Sequence, residues 1–587
     1  VQETVPIDAT RRGRVRLRLL STSARAASPT LAEAGWAVVS ALLLLLAFPD
    51  FGAWPLAWVA LAPLLFKIAR RPRGPQSFLM GLLTGTLFFY ASCHWLTFPM
   101  IHYAEFPAWL AHVLLLPAAL VGGLFPALFA LALSRLCARW GAAALFLAPP
   151  VWAACEWARL GVVGQLWNAV GYSQAFEPTV IQAARFGGVY AVSFLVLAVN
   201  AALAYALLKR DARGTLVSIT VVACVVLLIL AFDLTRPPQT TGGTGAVVVA
   251  VQPNGIPDLN RSEAEYVALK RRHFELSEQA LDLLDERGAV GSTPTDTVRS
   301  MPADTVGSTP ASASGGSATG AEGDTTGEAN NAVVSTPPRV VVWPESPMNF
   351  SFDRSRSFRE DAVRFVRERH TSLLFNSLEP AASGGGYNAA VLVNEKGLLT
   401  AQYDKIRLMP FGEYVPLPRW MPGAGLVRGL VGDFTPGERY TLVPLGSGGG
   451  RPRAGVFICL ESAYPYITRR LTHEGADVLI EITNDAYQGD TAVLRQHLSN
   501  AVFRAVETGR TLLRVTNTGI SARITPRGEV TDETGRFEEA VRVWPVARSD
   551  GSETFYTRFG DSFVAACAFL SLLAVALTAK RRRALQS

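Results

Sequence analysis

Eight stretches of this chain are apolar enough to enter a bilayer, near residues 33–49, 52–68, 76–96, 107–134, 141–160, 188–208, 214–234 and 562–579. A crossing helix needs about 20 such residues. Packed instead as core helices of a soluble protein, eight of them would demand an implausibly large core. The sequence therefore predicts a polytopic α-helical membrane domain of about eight spans. The first two stretches are short and closely joined, which leaves a tight hairpin or a partly re-entrant pair open. Charged residues make up only 18% of the chain, against about 25% in soluble proteins, and the apolar excess sits before residue 234 and after residue 561.

Basic clusters give an independent test of the count. Arg11, Arg12, Arg14, Arg16 and Arg18 precede the first stretch, and further clusters occupy 67–73, 135–139, 209–213 and 580–583. All five fall on one face if the chain crosses eight times, and Lys and Arg mark the cytoplasmic face. The expected order is a basic cytoplasmic N-terminus (1–32), seven transmembrane helices (33–234), a periplasmic domain (245–548), a C-terminal transmembrane helix (562–579) and a basic cytoplasmic tail (580–587). Both termini are then cytoplasmic, and the hydrophilic domain lies outside, in a periplasm or its equivalent. Arg11-Arg12 could open an export signal, but with seven more stretches following, an anchor is the better reading. The net charge of +7 does not imply nucleic acid, because no basic-aromatic platform accompanies it.

Between 245 and 548 short β-branched runs alternate with helical ones. Strand-like runs include 246–251, 339–343, 372–376, 389–394, 455–459, 477–483 and 512–516, and helix-like stretches 262–287, 361–369 and 494–508. Such alternation argues α/β layers. Residues 289–332 lack any aromatic, Leu or Ile and repeat Ser-Thr-Pro at 292–294 and 308–310. That composition cannot bury enough surface to offset its ordering entropy, so a disordered insertion is expected.

Three β-like runs end in reactive side chains: Val340-Val-Val-Trp-Pro in Glu345, Gln402-Tyr-Asp in Lys405 and Ala454-Gly-Val-Phe-Ile in Cys459. A thiol titrates near ~8.5 and needs help to attack at neutral pH. A carboxylate can take its proton, and an ammonium can stabilise the oxyanion that develops. Five of the six cysteines lie in apolar segments or their connections, leaving Cys459 alone in the hydrophilic domain, with no disulfide framework or zinc spacing. Neither metal nor cofactor is expected. His497 could be put forward as base for a Cys–His pair, but it lacks a supporting residue and reads as a helix-surface histidine.

Lys405 runs into Leu408-Met-Pro-Phe-Gly-Glu-Tyr-Val-Pro416, and Glu461 follows Cys459 by two residues. Asn484-Asp-Ala-Tyr487 and Thr516-Asn-Thr-Gly-Ile520 follow two further runs. Together these motifs closely resemble the nitrilase superfamily and, within it, the bacterial apolipoprotein N-acyltransferases, over nearly the whole chain. The resemblance implies an αββα sandwich with Glu345 as general base, Lys405 as oxyanion-stabilising cation and Cys459 as nucleophile. It also implies supporting roles for Glu413, Glu461 and Asn388, and places Trp167 and Gly171-Tyr-Ser-Gln174 in a loop near the site mouth. Leu460 departs from the pattern, standing where an aromatic is common.

The implied reaction moves an acyl chain from a membrane phospholipid, through a Cys459 thioester, to the α-amine of a diacylglyceryl-cysteine at an apolipoprotein's N-terminus. A membrane-tethered amidohydrolase using water is the rival, and a non-catalytic lipid-binding scaffold is a third reading. Other roles stay open for several residues. Glu413 also reads as a turn residue, Glu461 as a helix-starting carboxylate, and Trp167 as an interfacial anchor.

The irregular run 409–430, with Met409, Phe411, Trp420 and Leu426, reads either as an apolar lid at the bilayer surface admitting acyl chains or as ordinary loop packing. If it is a lid, polar residues at Trp420 and Leu426 are expected to slow acylation of Cys459. Its alkylation by a small reagent should stay intact, and unchanged acylation would remove the lid.

Overall fold

The computed structural model describes residues 28–235, 240–256, 262–289, 337–345, 350–381, 384–415, 420 and 434–584. The expected insertion at 289–332, apart from Ala289, lies outside these residues. So do the first 27 residues and most of the 409–430 run. Seven apolar helices come first: α1 (Leu31–Ala47), α2 (Ala62–Arg70), α3 (Gly74–Ser92), α4 (Ala108–Trp140), α5 (Ala148–Val163), α6 (Ala184–Lys209) and α7 (Ala212–Leu234). Helix α1 starts at a capping box: the Thr30 hydroxyl accepts from the Glu33 N–H, and the Glu33 carboxylate accepts from the Thr30 N–H.

Among the described residues, three helical units are long and apolar enough to cross a membrane: Ala108–Val163, Ala184–Lys209 and Ala212–Leu234. A fourth results if Gly74–Ser92 and His94–His102, bent by 56°, form one unit. Leu31–Ala47 and Ser562–Thr578 are apolar but shorter. Helix α7 leaves Leu216, Ile219 and Leu227 exposed, the pattern of a helix whose outer face meets lipid.

The rest of the chain builds two sheets. Strands β1 (Thr240–Gln252), β2 (Arg339–Val342), β3 (Ser372–Pro380), β4 (Gly386–Val393) and β5 (Leu399–Asp404) are followed by β6 (Leu442–Pro444) and β7 (Arg453–Ile458). The last five are β8 (Val478–Thr483), β9 (Leu512–Thr516), β10 (Ala522–Ile524), β11 (Val530–Thr531) and β12 (Ala540–Ser549). One sheet has the order β12-β1-β2-β3-β4-β5 and the other β11-β10-β9-β8-β7-β6. The strands β1, β2 and β3 run parallel, as do β7, β8 and β9. Val248, Val342, Leu374, Val456, Ile480 and Trp544 interdigitate between the sheets.

Helices α8 (Glu263–Ala289) and α9 (Arg356–Glu368) cover the first sheet, with Leu276, Phe358 and Phe365 packed around Trp343. Helices α10 (Pro465–His473) and α11 (Val493–Thr508) cover the second, and their buried residues form one continuous core with Trp167, Tyr172 and Val189 of the apolar bundle. The last helix, α12 (Ser562–Ala584), returns to pack on α5. The αββα sandwich expected from the sequence is thus present, and α11 lies between it and the bundle.

That junction depends on a break in α6. Gly188 has φ +64°, and the next N–H, of Val189, reaches the Glu507 carboxylate of α11 at 2.9 Å. A Cβ on Gly188 would come within 2.9 Å of the Tyr556 ring and 3.3 Å of that carboxylate. Gly188→Ala is therefore expected to destabilise the protein by about 1–3 kcal/mol, from left-handed backbone strain plus displacement of Glu507. A thermal midpoint in detergent equal to that of the wild type would contradict this.

Candidate active site

The C-terminal ends of β2, β5 and β7 converge on one cleft. Lys405 follows β5, its own N–H donating to the Asn388 carbonyl on β4 at 2.8 Å. Its ammonium is 1% exposed and lies 3.1 Å from Glu345 Oε1 and 3.0 Å from Glu413 Oε1. The Asn388 amide donates to the same two carboxylates and accepts from Asn376 at 2.6 Å. Glu345 also accepts from the Asn484 N–H at 3.2 Å, and Glu413 from the Met409 N–H at 2.7 Å. Burial alone would push the ammonium down; the facing carboxylates outweigh it and hold Lys405 well above its usual range.

Cys459 stands just beyond β7 at φ +54°, a conformation that costs energy in a non-glycine residue and recurs at functional sites. It remains partly accessible, yet its thiol is ringed by protein. Burial pushes that thiol well above its ordinary value, Glu345 adds to the effect, and Lys405 only partly opposes it. The packing around Cys459 thus favours the neutral thiol.

Glu461 shows why an acid belongs two residues after the cysteine. Fully buried, it accepts four hydrogen bonds: from Ile458 N–H at 2.8 Å, Ile406 N–H at 2.7 Å, Arg407 N–H at 3.1 Å and the Tyr403 hydroxyl at 2.8 Å. It ties the strand end that presents Cys459 to the strand end that presents Lys405. Burial pushes its carboxyl up to about 7, against the pull of those donors.

The residues singled out in the sequence divide clearly. Glu345, Lys405, Glu413 and Asn388 form one bonded cluster, with Cys459 and Glu461 beside it. Trp167 is 6% exposed, donates to Gln496 at 2.9 Å and lies tilted against the His497 ring, 5.6 Å between centroids. Trp420 is 80% exposed, and its flanking residues lie outside those described. His497, expected on a helix surface, is instead buried and donates to the Cys459 carbonyl. Asn376 has no signal in the sequence, since its role follows from strand register; Asn484 opens one of the motifs quoted above, but that its N–H meets Glu345 follows from backbone direction.

Every group facing Glu461 is a donor, so an amide at that position must aim a second donor at one of them. Glu461→Gln is expected to cost about 1–3 kcal/mol of stability and to slow acylation of Cys459. Thermal unfolding and a single-turnover assay would check both, and wild-type values in each would refute the tether.

A family model described as Apolipoprotein N-acyltransferase N-terminal domain matches residues 40–202, and one described as Carbon-nitrogen hydrolase matches residues 339–555. An apolipoprotein N-acyltransferase of Geobacter metallireducens is 31% identical over 567 residues, covering 93% of this chain and 95% of that one. A protein of the same name from Allorhizobium ampelinum is 28% identical, covering 94% and 98%. Among solved structures, a variant of the Nesterenkonia AN1 amidase from the nitrilase superfamily matches with a TM-score of 0.34 at 17% identity, covering 56% of this chain and 98% of that one. With a carbon–nitrogen hydrolase sandwich joined to an apolar helical bundle, the chain belongs to the apolipoprotein N-acyltransferase family.

Proposed function

We propose that this protein is a multi-pass membrane enzyme that transfers a fatty acyl chain from a phospholipid to the N-terminal amine of a diacylated apolipoprotein. The observation that carries the reading is the buried Lys405 ammonium held between Glu345 and Glu413 beside a neutral Cys459 thiol. Glu345 takes the thiol proton as sulfur attacks the donor's ester carbonyl. Lys405 and backbone N–H groups hold the oxyanion. The C–O bond then breaks, Glu345 returns the proton to the departing lysophospholipid, and a thioester remains. In the second half the α-amine of the diacylglyceryl-cysteine attacks, Glu345 takes its proton, and the thiol leaves as the amide forms. Glu413, Asn388 and Glu461 act by holding these groups in place.

The proposed arrangement in the membrane has about eight spans (33–49 through 214–234, then 562–579), with the 245–548 domain on the periplasmic side and both termini cytoplasmic. Ala108–Val163 is 56 residues long, nearly three times the about 20 residues one crossing needs at 1.5 Å per residue, enough for two crossings and their connection. Phe129 of α4 contacts Trp152 of α5 at 4.9 Å between ring centroids, so the two helices lie side by side as two crossings. The short α1 and the broken 54–70 region count as the first two. Trp420, strongly exposed, fits contact with an acyl chain, and Trp167 supports the site through the His497 ring.

Labelled phospholipid supplied with a diacylated lipopeptide separates the alternatives. The expected outcome is labelled amide product, with an acyl mass shift on the Cys459 peptide when the lipopeptide is omitted and loss of both in Cys459→Ser. Free fatty acid in place of amide would assign the amidohydrolase, and a serine variant with normal turnover would end this reading.

A further inference from the structure

Both ring nitrogens of His497 face acceptors. Nδ1 lies 2.7 Å from Asp485 Oδ1, while Nε2 lies 3.1 Å from the Cys459 carbonyl oxygen and 3.2 Å from Glu481 Oε1. Arg514 meets the other oxygens of the same two carboxylates, at 2.5 Å for Glu481 and 2.6 Å for Asp485. With both acids ion-paired and no donor facing either nitrogen, the ring must carry both protons. Burial and Arg514 push the imidazole down, but Asp485 and Glu481 override them and hold it up at about 9. The cluster is balanced, with two cations and two anions. The uncharged Trp167 ring lies 5.6 Å from the imidazole.

The carbonyl that His497 holds belongs to the Cys459–Leu460 peptide. In a trans peptide the C=O and the following N–H point in opposite directions. Fixing the Cys459 oxygen toward α11 therefore turns the Leu460 N–H away from α11. The same turn is pinned at two more carbonyls: Arg504 donates to Ser462 at 2.9 Å, and the Leu166 N–H to Ala463 at 3.3 Å. Its oxygens are thus drawn to the helix and bundle side. A cationic donor on the carbonyl also polarises the peptide and strengthens its N–H as a donor.

We propose that His497 is a positioning residue that orients and polarises the Cys459–Leu460 peptide, so that the Leu460 N–H meets the oxyanion formed on Cys459, opposite Lys405. This rests on the reading that Cys459 attacks an acyl carbonyl. The test uses the full chain in detergent and compares two reactions of the same thiol. Acylation by p-nitrophenyl butyrate passes through an oxyanion; alkylation by iodoacetamide does not.

His497→Ala is expected to slow acylation by about 30-fold or more, toward the loss seen when an oxyanion donor is removed, while alkylation changes by less than about threefold. His497→Gln, whose amide can stand in for the Nε2 donor, should recover most of the acylation rate. If the alanine variant does not fold, His497→Asn, too short to reach the carbonyl, takes its place. Equal losses in both reactions, or acylation left within about threefold of wild type, would overturn the proposal. Wild-type protein acylated by the nitrophenyl ester but not by phospholipid would sink the donor assigned above while leaving this test decisive. A wild type that is alkylated but never acylated would sink both.

Discussion

A lysine ammonium removed from water costs several kcal/mol unless counter-charge and hydrogen bonds replace its hydration, and much of this site follows from that need at Lys405. Two carboxylates face it, Asn388 donates to both of them, and the Asn388 backbone carbonyl fixes where the lysine strand ends. Burial and the neighbouring Glu345 discourage a resting thiolate on Cys459, and Lys405 only partly opposes them. In the proposed reaction the thiol proton moves to Glu345 and a negative charge appears on the oxyanion. The number of charges in the cleft does not change, only their positions. An ammonium already in place can follow that displacement without solvent reorganisation, the source of most electrostatic catalysis.

A second constraint is mechanical. Helix α11 is buried almost all the way round because it separates the second sheet from the apolar bundle. From it, Gln496 accepts from Trp95 and Trp167 and donates to the Ser92 carbonyl. Glu507 accepts from the broken α6, while Arg504 and His497 grip the turn after Cys459. One helix therefore carries the contacts of the bundle and the aim of the nucleophile. On the proposed reading, that joint ties the site to the part of the chain that enters the membrane.

The same helix shows where sequence reading succeeds and where it stops. Glu345, Lys405 and Cys459 were legible because each closes an apolar β-like run, and strand ends are where polar side chains escape a sheet. His497 was not legible, because a helix buried on both faces has no polar stripe against which an inward histidine stands out. Strand β12 was missed because Pro545 interrupts its alternation; at the edge of the sheet, where β12 lies, a lost N–H is tolerated. The two sheets and the covering helices followed from β-branched runs and helical periodicity. The number of crossings followed less well, since α1 is short and the 54–70 region breaks into turns that hydropathy alone reads as one segment.

On the proposed reading the site must also choose between an amine and water as acceptor. The triad by itself serves hydrolysis and transfer alike, since both pass through the same thioester. An amine is the stronger nucleophile toward a thioester, which gives transfer the advantage. Tethering adds to this, since an acceptor anchored in the same bilayer meets the acyl-enzyme at a raised effective concentration. On the proposed reading, the choice of acceptor is thus set by what the bilayer delivers to the thioester, a lipid-anchored amine, rather than by the triad itself.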